Sequence, residues 1–522
     1  MIKTASVPSE ETVVGRLIRH YENAESLATS AVSSPRAVVA ILVAIVALTL
    51  ALYPAYVLAT VGSFGFPLDD SWIYQHFARN LARYGSMVYN PGVPAAGATS
   101  ILWVPIMALA YSLAIDPIIW TYICGAGAVL GLALASYAAC LALFPERRGV
   151  AIVASIAIAA DWRMAWSALS GMETALFTFV SIALLAAVAR KMNSLIVGLI
   201  GGILVVARPE GLLLVSIVVA SNLAIASAAN PASRLIRVAG VLLGLGVALV
   251  PYFLLNWSLT GNWMPTTFYA KQALYAGASP SERITYLFDA LRMLLIGPSA
   301  NAIFAVGAPF AAYKAFVSRN WRQALPLTWA AALLIVYALR LPVSFQHGRY
   351  FMPLVPIAIM YSVAGTSDLL LIAKQHSYRA LPVAFSVLAG IVVIVSWAIG
   401  ARILATDIGI INSQQVQTAR WIEANTPRES IIATHDIGAL AYFSNRRIID
   451  TTGLIDPDFI PVVHDSNATL TLAIAKGADY FAFFPDWYPR LTAQLKGQKV
   501  FQANGDYLNT LGFKSMVLYH LD

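Results

Sequence analysis

The sequence predicts a polytopic α-helical membrane protein of about 11–13 spans, followed by a small extracytoplasmic α/β domain. Hydrophobic residues make up 59% of the 522 residues and charged residues only 11%, whereas about a quarter of the residues in soluble domains are charged. Apolar stretches of about 17–25 residues, each long enough to cross about 30 Å of hydrocarbon, recur between residues 37 and 399. Beyond residue 401 this pattern gives way to short strand-like runs.

This pattern divides the chain into three regions. Residues 1–36 are mostly polar and are expected in the cytoplasm, residues 37–401 contain the spans, and residues 402–522 form the external domain. Basic residues such as Arg147 and Arg319 fall in alternate short loops, which predicts that these loops are cytoplasmic and that the C-terminal domain is outside. Twelve candidate spans would place both ends of the chain in the cytoplasm, whereas the basic loops place the C-terminus outside. One crossing is therefore miscounted, and we expect a broken or re-entrant helix between residues 99 and 173.

The C-terminal region alternates strand-like and helical segments. Short apolar runs at 431–434 (IIAT), 448–453 (IIDTTG) and 479–484 (DYFAFF) are typical of strands. The stretch 413–425 (SQQVQTARWIEAN) has a helical pattern, and Thr426-Pro427 ends it. Strands that alternate with helices indicate a small α/β domain.

Composition excludes several other classes of protein. The net charge of +8 is spread over short loops with no basic tract, so a nucleic-acid partner is not expected. The two cysteines, Cys124 and Cys140, lie in one apolar run and imply no disulfide framework. No glycine-rich signature of a nucleotide site is present.

An adjacent acid pair, Asp69 and Asp70, lies in the predicted first external loop, residues 61–98. One aspartate could cap the helix that follows Pro67. A cap explains only one of the two acids, so the other is a candidate for a catalytic role. The sequence predicts that this helix lies in the membrane interface. Its apolar stripe would consist of Ile73, Phe77, Leu81 and Tyr84, opposite Gln75 and Arg79.

Four further polar motifs fall on the same predicted side of the membrane. They are SGMET (170–174), ARPEG (207–211), the loop 261–283 and FQHGRYFMP (345–353). Ionisable residues near hydrocarbon are costly and usually mark a pathway or an active site. Their convergence predicts a polar cavity at the outer membrane surface.

Each of these motifs also has a structural interpretation. Glu173 could complete a capping box with Ser170. Arg208 and Glu210 could form a local pair at a helix that starts with Pro209. The remaining cations before or near spans, His347, Arg349 and Lys271, could extend towards lipid headgroups.

The motifs as a set resemble those of bacterial members of the GT-C superfamily, which are membrane glycosyltransferases that use polyprenyl-phosphate sugars. The resemblance covers residues 40–460. The group that this chain resembles includes relatives of cell-wall arabinofuranosyltransferases and, more distantly, protein mannosyltransferases and lipid A aminoarabinose transferases. The motifs that carry it, in order, are the acid pair, YQHFARNLARYG, VYNPG, TSILW, SGMETALF, ARPEGLLL, GNWMPTTFYAK, HGRYFMPLVP and HDIGALAYFSNRRIIDTTGLIDP. It implies a GT-C fold in the bacterial inner membrane, with the active site on the extracytoplasmic face.

The resemblance also implies a reaction: a sugar passes from a polyprenyl-phosphate donor to an envelope glycan, lipid or protein acceptor. It assigns the general base to Asp69 and a supporting role to Asp70. Two adjacent carboxylates could instead hold a divalent cation, Mg²⁺ or Mn²⁺.

Cations must stabilise the leaving phosphate, and the candidates in order are Arg349, Lys271 and Arg208. The expected substrate contacts are Glu173, Glu210 and His347. The lipid tail of the donor would stay among the membrane lipids, so no nucleotide is required.

A secondary transporter of a polar or anionic solute is the alternative, since it would also combine many spans with intramembrane charges. Transporters tend to have duplicated halves and midplane sites. The polar motifs here fall on one surface and a folded domain follows them, which favours glycosyl transfer. A non-catalytic scaffold would leave the acid pair unexplained.

Overall fold

The computed structural model describes residues 34–145, 147–225, 231–297, 301–375, 380–505 and 512–521. Most of the predicted cytoplasmic segment 1–36 therefore lies outside the described residues. The described chain forms a bundle of helices that is followed by a five-stranded sheet.

Apolar helices dominate the chain up to residue 411. The first half contains α1 (Pro35–Val61), α2 (Asp69–Tyr84), α3 (Trp103–Ser112), α4 (Pro117–Leu143), α5 (Arg148–Ala159), α6 (Trp162–Leu169), α7 (Thr174–Ala189), α8 (Ser194–Ala207) and α9 (Gly211–Ile225). The second half contains α10 (Pro231–Thr260), α11 (Thr266–Leu274), α12 (Pro280–Leu295), α13 (Asn301–Phe304), α14 (Gly307–Val317), α15 (Trp321–Arg340), α16 (Val355–Gln375) and α17 (Ala380–Ile411).

Six described helical segments are long and apolar enough to cross a membrane. They are Pro35–Val61, Pro117–Leu143, Leu235–Thr260, Trp321–Arg340, Phe345–Ala373 and Val383–Asn425. The predicted 11–13 spans therefore depend on shorter apolar helices of 10–17 residues, among them α3, α7 and α8. Helices α5 and α6 form a pair bent by 48°, within the interval 99–173 where the sequence predicts a broken helix.

Small residues allow helices of the bundle to pack closely. Gly198 and Gly202 on α8 face α10, where a Cβ on either glycine would collide with the backbone or side chain of Val241 or Ala248. Gly244 on α10 meets the backbone of α8 in the same way. Small residues spaced in this manner let helix backbones approach in membranes, where van der Waals packing rather than hydrophobic burial stabilises helix pairs.

The C-terminal domain is joined to the bundle without a break in the last helix. Helix α17 continues through a π-helical segment, Asn412–Val416, into α18 (Gln417–Asn425), and Thr426 ends the helix. The predicted helix 413–425 is thus confirmed, but it extends the last span. The helix also runs through residue 402, where the predicted domain begins.

The domain contains a mixed sheet with the strand order β2-β1-β3-β5-β4. Strands β1 (Ile431–Thr434), β2 (Arg447–Asp450) and β3 (Tyr480–Phe483) are parallel, and β5 (Val517–His520) is antiparallel to β3 and β4 (Lys499–Gln502). The helices around it are α19 (Gly438–Ser444), α20 (Ser466–Ala475) and α21 (Pro489–Gln494). The three predicted strands are confirmed, and the antiparallel pair was not predicted.

Helix α2 differs from the prediction in two respects. It begins at Asp69, but its N-cap is Leu68 and neither aspartate caps it. It is also buried on most sides and is not an interfacial helix with one polar face. Gln75 donates to Thr121 at 2.9 Å, and Arg79 donates to the carbonyl of Tyr442 at 2.9 Å. The polar face is buried because α4 and α19 supply partners for its side chains.

Candidate active site

The two adjacent aspartates lie in different environments. Consecutive residues on a helix point about 100° apart, and here the two carboxylates contact different parts of the protein. Asp69 is buried, and its two oxygens accept hydrogen bonds from the backbone N–H groups of Gly438 and Ala439 at 2.7 and 2.8 Å. Asp70 is 31% exposed and pairs with Arg349, whose Nη2 lies 2.6 Å from its Oδ2. Asp69 therefore caps α19, which begins 369 residues later in the chain.

The contact between α2 and α19 requires a glycine. A Cβ on Gly438 would collide with the backbone carbonyl of Asp69. The first turn of α19 can therefore approach Asp69 closely enough for both of its free N–H groups to reach the carboxylate. Carboxylates are favourable at helix N-termini, where the orphan N–H groups and the helix dipole both attract negative charge.

The pKa values of the two carboxyl groups shift in opposite directions. Burial raises the pKa of Asp69 well above its ordinary value, Asp436 raises it further, and the two backbone N–H groups only partly compensate. Burial would also raise the pKa of Asp70, but the positive charges of Arg349 and Lys271 outweigh burial and lower it. Asp70 is accordingly ionised at neutral pH, and Asp69 is the carboxyl that more readily holds a proton.

The three predicted phosphate-binding cations converge on the ring of Tyr350. The ring centroid lies 5.0 Å from the guanidinium carbon of Arg349, 5.5 Å from that of Arg208 and 5.8 Å from Nζ of Lys271. Arg349 is buried and donates to the Tyr350 hydroxyl at 3.1 Å, while its Nε and Nη1 have no hydrogen-bond partner in the described part of the chain. The sequence analysis missed Tyr350, although it directly follows Arg349 in the chain.

Arg208 differs from the other two cations because two carboxylates neutralise it. Its guanidinium lies 3.2 Å from Glu173 and 3.0 Å from Glu210, and Tyr337 donates to Glu210 at 3.0 Å. The local pair of Arg208 with Glu210 is confirmed. The capping box of Glu173 is wrong, since Glu173 makes no side-chain cap bond and contacts Arg208 instead.

His347 lies in a strained turn that precedes Arg349. Gln346, His347 and Gly348 have φ values of +55°, +58° and +72°, a left-handed conformation that costs of order 1–3 kcal/mol for each non-glycine residue. The His347 ring lies 2.7 Å from a carboxylate oxygen of Asp407 on α17. This contact fixes the turn that presents Arg349 to Asp70. His347 itself contacts Asp407 and two tryptophans, Trp162 and Trp166, rather than the Tyr350 cluster.

Two cavities border Lys271, and one of them also borders Asp70. A small one is bordered by Asp70, Tyr74, Met172 and Lys271. A larger one of about 500 Å³ is mostly apolar, and its lining includes Lys271, Phe268, Val336, Tyr337, Arg340 and Leu341. Lys271, Thr99 and Thr267 line both cavities. No carboxylate pairs with Lys271 in the described part of the chain.

The geometry gives no support to a divalent cation at the acid pair. Both oxygens of Asp69 accept backbone N–H groups, and Asp70 is paired with an arginine. Among the described residues, no group of three histidine, cysteine or acidic side chains could hold a metal ion. These donors do not fit Mg²⁺ or Mn²⁺, which prefer several free oxygen ligands.

The solved structures that this chain resembles include those of two membrane proteins. The oligosaccharyltransferase of Archaeoglobus fulgidus in the apo form matches with a TM-score of 0.61 and 14% identity over 87% of this chain and 70% of that chain. The same protein, AglB, in complex with an inhibitory peptide and a dolichol-phosphate, matches with a TM-score of 0.60 and 14% identity over 86% of this chain and 69% of that chain. ArnT from Cupriavidus metallidurans bound to undecaprenyl phosphate matches with a TM-score of 0.56 and 15% identity over 91% of this chain and 97% of that chain.

A family model described as a domain of unknown function, DUF8728, matches residues 402–518. A comparison with curated proteins found no match. The likeness covers 86–91% of this chain. The chain therefore has the GT-C fold, the fold of these membrane glycosyltransferases.

Proposed function

We propose that this protein transfers a sugar from a polyprenyl-phosphate donor to an envelope glycan, lipid or protein acceptor at the extracytoplasmic face of a bacterial inner membrane. The observation that carries the proposal is the meeting of three elements: an ionised carboxylate paired with a buried arginine, a lysine that lines two cavities, and an apolar cavity. Asp70, Arg349 and Lys271 supply the polar elements, and the cavity of about 500 Å³ supplies the apolar one. AglB and ArnT, which share the fold, have been solved with dolichol-phosphate and undecaprenyl phosphate.

The donor phosphate would bind to Lys271 and Arg349. Two guanidinium nitrogens of Arg349, Nε and Nη1, have no hydrogen-bond partner among the described residues, and an arginine fork matches phosphate oxygens in a bidentate manner. Lys271 lies between the two cavities, so a phosphate there would place the sugar towards Asp70 and the prenyl chain along the apolar wall. Arg208 is neutralised by Glu173 and Glu210, and its proposed part is to hold Tyr350 and the neighbouring helices in place.

The geometry favours Asp70 rather than Asp69 as the base. Asp70 borders the small cavity beside Lys271, whereas both oxygens of Asp69 are bonded to α19. In the proposed step the acceptor hydroxyl oxygen attacks the anomeric carbon, the bond between that carbon and the phosphate oxygen breaks, and Asp70 takes the hydroxyl proton. The polyprenyl phosphate leaves with the electron pair. General-base assistance of this kind contributes about 10²–10⁴ in rate.

Donor binding would also improve Asp70 as a base. Without donor, Arg349 and Lys271 hold the pKa of Asp70 low, which makes the carboxylate a weak proton acceptor. A bound phosphate shares those cations and adds negative charge nearby, and both effects raise the pKa of Asp70. The acceptor would then be deprotonated most readily when the donor is in place.

Binding of undecaprenyl phosphate to the purified protein tests the donor site. Arg349→Lys keeps the charge but loses the fork, and Lys271→Gln removes a charge, so we expect each to weaken binding at least tenfold, about 1.4 kcal/mol. Arg428→Gln is the matched control, because Arg428 is exposed and lies in the C-terminal domain. Equal affinity of all four proteins would contradict the assignment of the donor site.

A further inference from the structure

A second large cavity lies on the other side of α2 from Asp70. Its volume is about 620 Å³, and Trp72 is part of its wall. Trp72 follows Asp70 by two positions, which places it about 200° around the helix. Tyr442 and Phe443 on α19 also line the cavity, and their rings pack against Trp72 with centroids 5.0 and 4.6 Å away. The cavity is therefore separated from the proposed transfer site by the body of α2.

One cation in this cavity has its hydrogen-bonding edges free. Arg420 on α18 is exposed, and its guanidinium carbon lies 5.7 Å from the centroid of the Phe443 ring. No salt bridge of Arg420 is found within the described ranges. A guanidinium stacked on a ring keeps its N–H edges available for an anion. The one carboxylate among the lining residues, Asp116, is committed to capping α4, where it accepts from Ile118 and Ile119.

The π-helical segment forms part of the same wall. Asn412, Ser413 and Val416 line the cavity and lie within Asn412–Val416. Segments of π-helix are rare and occur frequently at functional sites. The extra residue in this turn directs Asn412 towards the end of α1, where its amide donates to Ser63 at 3.1 Å. A local departure from α-helix thus coincides with the cavity.

The floor of the cavity connects to surfaces that face lipid. Val61 ends α1 and Pro117 begins α4, and both helices are long and apolar enough to span a membrane. Next to them, Leu58 and Ile119 expose 47% and 50% of their surface. A ligand that fills the cavity would therefore contact both an apolar floor and a cation near its roof. This combination matches an amphiphile with an anionic head.

We propose that this cavity binds the phosphate headgroup of an anionic lipid, with Arg420 contacting the phosphate and the lipid chains lying along α1 and α4. The aromatic rings of Trp72, Tyr442 and Phe443 would pack against the glycerol or the first chain carbons. A lipid bound there would join α1 of the bundle to α18 and α19 of the C-terminal domain. The proposal is independent of sugar transfer, because none of these four residues lines either of the cavities beside Lys271.

Native mass spectrometry of the full-length protein with added phosphatidylglycerol tests this site. The wild type should retain one phosphatidylglycerol more tightly than phosphatidylcholine, since only the former carries a net negative headgroup. Arg420→Gln should weaken retention at least tenfold. Arg420→Lys, which keeps the charge, should weaken it less, and Phe443→Leu should weaken it by loss of the ring. Arg428→Gln, an exposed arginine of the same domain, should behave as wild type.

Two further outcomes decide the claim. Equal retention of phosphatidylglycerol by wild type and Arg420→Gln, with both proteins folded by their elution volume and melting temperature, would overturn the proposal, as would equal retention of phosphatidylcholine by the wild type. Undecaprenyl phosphate is tested in the Arg349→Lys background, in which the donor site is weakened. Displacement of phosphatidylglycerol there would support a lipid-phosphate site and identify the prenyl carrier as a second source of the same headgroup chemistry.

Discussion

At the scale of single residues, the two adjacent aspartates have different partners: Asp70 pairs with Arg349, and Asp69 caps α19. The pair is conspicuous in a chain with 11% charged residues, and it lies at the centre of the candidate site. The sequence could not decide which aspartate faces the cavity, because the backbone groups that bind Asp69 come from residues 438 and 439. The predicted cap of α2 is wrong, and Asp69 instead caps α19.

The buried carboxyl of Asp69 should make stability depend on pH. Its folded-state pKa lies above the ordinary value of 3.8, so the folded protein binds more protons than the unfolded chain between these two values. Its contribution to stability is therefore present at low pH and is lost as the pH rises towards the folded-state pKa. The melting temperature of the wild type should fall relative to that of Asp69→Asn as the pH rises from 5 to 8.

The comparison of melting temperatures needs a control variant at an aspartate that is not buried. Asp465 is exposed and caps α20, and asparagine caps a helix about as well, so Asp465→Asn should follow the wild type at every pH. A constant difference between wild type and Asp69→Asn across this range would show that the pKa of Asp69 is not raised.

At the scale of elements, the sequence predicted the parallel strands and missed the antiparallel ones. Ile431–Thr434 is apolar and was predicted to the residue. In contrast, β4 (Lys499–Gln502) is short, exposed and begins with a lysine, so local pattern carries little signal. The apolar runs that form α7 and α8 are predicted as short spans, and a local ion pair is predicted in the turn between α8 and α9. The contact between Arg349 and Asp70 depends on long-range packing, which a single sequence does not reveal.

The contact of α19 with α2 gives a prediction about docking of the C-terminal domain. Gly438→Ala would push α19 away from Asp69 because the added Cβ has no room, and overpacking of this kind costs about 1–3 kcal/mol. The melting temperature should fall by several degrees, and limited proteolysis should cut between α17 and β1 more readily.

Gly497→Ala provides the matched substitution in the same domain, since a Cβ there meets no atom within 4 Å. We expect this variant to melt within about 1 °C of wild type, because substitutions in open surface positions rarely change stability. Equal destabilisation by the two alanines would show that the contact of Gly438 with Asp69 is not responsible.

At the scale of the whole molecule, α2, which carries Asp70, and two basic residues lie at opposite ends of α4, because Gln75 of α2 donates to Thr121 near the start of α4. Asp116 at the start of α4 borders the lipid cavity, and Arg147, just beyond the other end of α4, pairs with Asp368. Lys314 joins the same aspartate at 2.7 Å. A helix of 27 residues is about 40 Å long, so the basic end and the site are separated by the thickness of a membrane. This arrangement agrees with basic loops in the cytoplasm.

Cysteine labelling in intact cells tests this orientation. In a background without Cys124 and Cys140, Ser86→Cys and Asp465→Cys should react with an impermeant maleimide from outside, since both positions are exposed. Arg319→Cys should react only after the membrane is permeabilised. Labelling of residue 465 from the cytoplasm alone would reverse the orientation and remove the transfer site from the extracytoplasmic face.

The most direct test of the account compares sugar transfer by Asp70→Asn and Asp69→Asn. The substrate is an undecaprenyl-phosphate sugar that the wild type uses, and the readout is release of undecaprenyl phosphate together with glycosylated acceptor. If Asp70 is the base, Asp70→Asn should lose about 10² or more in turnover while it still binds undecaprenyl phosphate. Asp69→Asn should lose less, because asparagine can still accept one N–H from α19. A larger loss in Asp69→Asn, or full turnover by Asp70→Asn, would contradict the assignment of Asp70 as the base.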